Sequence, residues 1–150
     1  MTNKVISSWD SCKCHLDLSK TLYYIRYTWH SGDTFGARSE GHTIVTIPDG
    51  TDMRQWKKDF EDTDIDGSYC SINSISEPYY IVTFVLITKN DYTNHFVAGI
   101  PANETIESFM TRNKYFSKGD LIRDVEYKDS NFVFCGRLIK PGDCIHHQGY

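Results

Sequence analysis

Residues 79 to 109 read YYIVTFVLITKNDYTNHFVAGIPANETIESF. Two apolar runs flank a Lys-Asn-Asp-Tyr turn, the second run stops at Ile100-Pro101, and Ile106, Phe109 and Met110 then recur at the spacing of one helix face. A β-hairpin followed by a short helix is the expected structure. Residues 23 to 60, YYIRYTWHSGDTFGARSEGHTIVTIPDGTDMRQWKKDF, repeat the plan. Both stretches begin Tyr-Tyr-Ile, break at a polar turn, resume as an apolar strand ending in Ile-Pro, and reach a helical aromatic nine residues after that isoleucine, at Trp56 and Phe109. The echo predicts an α+β fold: an antiparallel sheet with two short helices on one face, built from two β-β-α units in a single domain spanning residues 1–150.

The remaining elements follow from the same patterns. Asp49 to Asp52 offers an N-cap ahead of Met53, Trp56 and Phe60, and Asn103 offers one ahead of Ile106. Further strands are expected at 67–76, 120–127 and 131–139. Segments 80–87 and 132–139 are apolar on both alternating faces, which predicts strands covered on both sides or buried against another subunit, so a homo-oligomer is one expectation. Cys70 and Cys135 are expected to point from strands into a core. Residues 1–20 and 140–150 carry no period and are expected to be irregular.

The chain has 150 residues, a formal net charge of -4 and 39% hydrophobic composition, enough for a self-sufficient core without metal or disulfide staples. Its aromatic residues, 10 Tyr, 8 Phe and 3 Trp, favour strands. The longest apolar stretch, around Tyr79 to Ile87, is about half of the roughly 20 residues that a spanning helix needs. The first residues show no secretory signal pattern, and the five cysteines form no even disulfide framework, so a reduced, cytoplasmic protein is expected. Basic side chains are scattered, with Lys57-Lys58 the only adjacent pair, which argues against a grip on nucleic acid.

Several groups of residues could carry chemistry. The connection from His30 to His42 holds three glycines, whose backbone amides, with His30, Asp33, Thr34, Arg38, Glu40 and His42, could bind an anion; the plainer reading is a long hairpin loop. Strand 23–29 places Tyr24, Arg26, Thr28 and His30 on the face expected to meet solvent or ligand. Asp62, Asp64 and Asp66, followed by Gly67, open like a calcium loop, although Asn73 stands at the twelfth position where a bidentate glutamate is usual. Calcium is therefore the one cofactor this stretch suggests, against the simpler reading of a solvated acidic helix exit and no cofactor. Cys12, Cys14, His15, Cys144, His146 and His147 offer zinc ligands if the termini meet, against idle thiols and an exposed histidine tail. His42 and His95 lack the hydroxyl two residues on that a two-histidine phosphodiesterase needs. The tyrosines and Trp29 could stack a purine, and core packing explains the same residues.

The stretch Tyr24 to Gly36, YIRYTWHSGDTFG, resembles the opening of small uncharacterised proteins of tailed bacteriophages, in which an aromatic strand runs into a Gly-Asp-Ser/Thr-Phe-Gly turn. The likeness covers about a dozen of the 150 residues and carries over no functional residue. It implies a phage accessory protein that binds a host factor or defence component in the host cytoplasm. The alternative is a protein that binds or degrades a nucleotide or S-adenosylmethionine-like small molecule at a subunit interface.

Overall fold

The computed structural model describes residues 21–31, 37–62 and 68–147. Its elements run β1 (Tyr23–His30), β2 (Arg38–Val45), α1 (Met53–Glu61), β3 (Tyr69–Ile75), β4 (Tyr79–Ile87), β5 (Thr93–Pro101), α2 (Ile106–Arg112), β6 (Leu121–Lys128), β7 (Val133–Phe134), β8 (Arg137–Leu138) and β9 (Cys144–His147). The fold is α+β, and every described strand pair is antiparallel. Among the described residues three sheets form, of order β2-β1-β3, β6-β4-β5-β9 and β7-β8. The two strands that begin Tyr-Tyr-Ile are each flanked on both sides, β1 by β2 and β3 and β4 by β5 and β6.

Strand β4 shows why apolar residues on both faces mark a central strand. Its even-numbered residues Tyr80, Val82, Phe84 and Leu86 join Phe96, Ala98 and Ile100 of β5, Ile122 of β6, and Ile106, Phe109 and Met110 of α2 in one cluster. Its odd-numbered Tyr79 and Ile81 join Val97, Leu22, Ile44 and Ile139 in a second cluster on the other face. Strand alternation thus divides one apolar run between two cores. The second core also joins the sheets. Leu22 and Tyr79 exchange backbone hydrogen bonds of 2.7 and 2.9 Å, and the Tyr24 N–H donates to Ser76 Oγ at 2.8 Å.

The helices do not share a face of one sheet. The α2 helix lies in the first core, whereas α1 meets the three-stranded sheet, where Phe60 touches Tyr27 edge-on at 5.7 Å and Glu61 Oε2 accepts the Ile72 N–H at 2.8 Å. Asp52 caps α1 by accepting from the amides of Arg54 and Gln55. Thr105, not Asn103, caps α2: its hydroxyl accepts the Ser108 N–H at 3.0 Å, two residues nearer the first buried residue.

Two other expectations are corrected. Residues 132–139 form the β7-β8 hairpin instead of one central strand, because Cys135 and Gly136 both take positive φ, 51° and 79°, the pattern of a tight two-residue hairpin turn. Cys135 is therefore exposed at the turn and Val133 is 51% exposed, while Cys70 is buried. Residues 144–147, expected to be irregular, form β9 and pair with β5. The preceding turn docks on Gly99, whose N–H donates to Asp143 O at 2.9 Å and whose carbonyl accepts the Gly142 N–H at 2.8 Å. A side chain at Gly99 would run into the Lys140 carbonyl.

Candidate ligand cleft

The register of β1, β2 and β3 brings four of the expected ligand residues to one face of the three-stranded sheet. His30 pairs with Arg38, Thr28 with Glu40 and Arg26 with His42, so His30, Arg38, Glu40 and His42 project on the same side. Several are already engaged. The His30 ring stacks on Tyr69 at 4.4 Å and its Nε2 lies 3.2 Å from Ser71 Oγ, Arg26 meets Glu40 at 3.8 Å, and His42 leans on Tyr24 at 5.6 Å. Asp33 and Thr34 lie outside the described residues, as do Asp64 and Asp66. Asp62 is the C-cap of α1, its N–H donating to the Lys58 carbonyl.

Alternation also separates the residues proposed for zinc. Cys144 packs against the first core with Sγ 3.8 Å from the Met110 sulfur, and His146 stacks on Phe96 and lies 3.0 Å from Asn94 Oδ1. His147 points to the opposite face, where it meets His95 and Phe134. Burial pushes the Cys144 thiol up to about 11. Cys12, Cys14 and His15 lie outside the described residues. Among the described residues, no three or more His, Cys, Asp or Glu side chains stand together as a metal site.

A cleft of about 640 Å³ opens instead on the odd-numbered face of the four-stranded sheet, beside the β7-β8 hairpin. Its floor is Thr83, Val85 and Val97, its wall Phe132, Val133 and Phe134, and its polar groups are His95, Asp124, Glu126, Lys128 and His147. At one end, His95 and His147 are direct cross-strand partners with ring centroids 5.7 Å apart, and the Phe134 ring lies 4.9 Å from His147. At the other end, the Lys128 ammonium sits 2.9 Å from Glu126 Oε1 and 5.5 Å above the Phe132 ring.

A β-bulge sets this second end. The pairing of β6 with β4 shifts between Thr83 and Val85, and Asp124 takes a φ of 56°. The extra residue changes the side-chain phase, so that Ile122, Val125 and Tyr127 all face the first core while Asp124, Glu126 and Lys128 reach the cleft. A non-glycine residue in the left-handed region costs on the order of 1–2 kcal/mol, a strain that concentrates where a strand must re-aim side chains.

The sequence contained one sign of this bulge. Ile122, Val125 and Tyr127 are apolar at spacings of three and two, a phase slip within an alternating strand. Nothing in the sequence linked His95 to His147, because their proximity depends on the pairing of β5 with β9. Against known proteins, the chain matches no family model, no curated protein and no solved structure.

Proposed function

We propose that this protein binds a small molecule in the cleft between the four-stranded sheet and the β7-β8 hairpin. The observation that carries this reading is the combination of a ligand-sized volume, about 640 Å³, with an aromatic wall and polar groups at both ends, all from one chain. A ligand at a hundred times its dissociation constant adds about 2.7 kcal/mol to the native state, a rise of several degrees in melting temperature for a chain of this size. Screening a metabolite panel by thermal shift should find such a ligand, and Phe134→Ala should remove the shift. A panel of nucleotides, sulfonium compounds, amino acids and organic acids that leaves the melting temperature unmoved would overturn the reading.

A second reading is favoured by Tyr69, which is 49% exposed on the His30 face of the three-stranded sheet. Large aromatic residues of this kind anchor protein interfaces. Under it, the chain is a phage-type accessory protein that binds a host or defence component. Stoichiometric capture of a host protein that is lost on Tyr69→Ala and kept on Phe134→Ala supports this reading over the first.

We also infer two related β-β-α units, supported by the shared element order and the flanked first strand of each half. Under either functional reading the site of action is the host cytoplasm, a proposal that rests on the phage-like stretch Tyr24 to Gly36. No helix among the described residues is long and apolar enough to cross a membrane.

A further inference from the structure

We propose that the cleft takes a nucleoside monophosphate, with its phosphoryl group on the imidazoles of His95 and His147 and its base against Phe132 and Phe134. The proposal rests on reading the cleft as a ligand site. Three features select the ligand class. Cross-strand pairing aims both imidazoles to the same side of the sheet, with centroids 5.7 Å apart and inclined at 41°, close enough for one phosphoryl group to meet both rings. A carboxylate ligand could use two donors as well, but the wall beside the pair is aromatic, which calls for a planar ring on the same molecule.

The third feature is charge placement along the cleft. The His pair lies on β5 and β9 and Glu126 on β6, with β4 between them, so Glu126 is separated from His95 by two strand spacings, roughly 10 Å. At that distance the carboxylate does not compete for the phosphoryl site, and the Lys128 ammonium at 2.9 Å offsets its charge. It stands instead where the ribose hydroxyls or the amino edge of a base would arrive, and an ionised carboxylate only accepts hydrogen bonds. The charged groups around this face are Arg123, Asp124, Glu126 and Lys128 on β6, with Arg137 on β8 already 3.5 Å from Asp143.

Isothermal titration with adenosine 5′-monophosphate, adenosine and inorganic phosphate tests the inference. The monophosphate should bind roughly tenfold or more tightly than adenosine, the factor expected of hydrogen bonds to a charged phosphoryl group. His95→Gln and His147→Gln should each reduce the preference while leaving adenosine binding in place, and Phe134→Ala should weaken binding of both adenosine and its monophosphate. Imidazole NMR signals should shift on adding the monophosphate, a readout that does not depend on a variant folding. Equal binding of monophosphate and adenosine, or a preference that survives both glutamine variants, would sink the phosphoryl site and leave the cleft reading standing. No binding of any of the three, alongside a thermal shift with another panel molecule that Phe134→Ala removes, would sink the nucleotide class alone.

Discussion

Tyr79 is fully buried, yet its hydroxyl donates to the Ile139 carbonyl at 2.8 Å, across the second core. One side chain therefore fills space on the odd face of β4 and also fixes the segment that leads into β9. Tyr79→Phe leaves that carbonyl without its donor, and a loss of about 1–3 kcal/mol is expected in urea denaturation, with no change of fold by circular dichroism. At this scale the sequence was only half legible. The Tyr-Tyr doublets were readable as sheet residues, but the facing of His147 toward His95, and of His146 away from it, depends on a strand that no local pattern announced.

Elements were legible where period and chemistry agreed. Strand β4 and the buried face of α2, Ile106, Phe109 and Met110, follow from spacing alone. The late segment misled because Phe132 to Ile139 is apolar enough for a strand, while the decisive residues were Cys135 and Gly136, which bend it into a hairpin. Cysteine is a poor occupant of a left-handed turn position, whereas asparagine ahead of glycine is favoured there. Cys135→Asn should therefore raise stability by about 0.5–1 kcal/mol, read as an increased melting temperature. A lower melting temperature would show that the thiol makes a contribution its exposed position does not suggest.

Across the whole molecule, the second core draws Leu22, Tyr24 and Ile44 from the first half and Tyr79, Ile81, Val97 and Ile139 from the second, which couples the two sheets. Two groups, Tyr79 within this core and Cys144 against the first, make stability sensitive to alkali. Burial raises the Tyr79 phenol well above its ordinary range and lifts the Cys144 thiol from 9.0 to about 11. Both are held protonated in the native state, so their contribution is complete below the unfolded values and is lost as pH rises through the folded ones. Stability should decline from about pH 9 upward, and Cys144→Ala should flatten the part of that decline between about 9 and 11. An unchanged pH slope in the variant would show that the thiol is not its source. Strand β9 adds a consequence of a different kind. It is four residues long, lies at the border of its sheet and supplies His147 to the cleft, so a ligand bridging His95 and His147 would act as a rivet on the last seam of the sheet. Occupancy would then be recorded in the backbone amides of Cys144 to His147, whose exchange with deuterium would slow as the seam is held shut.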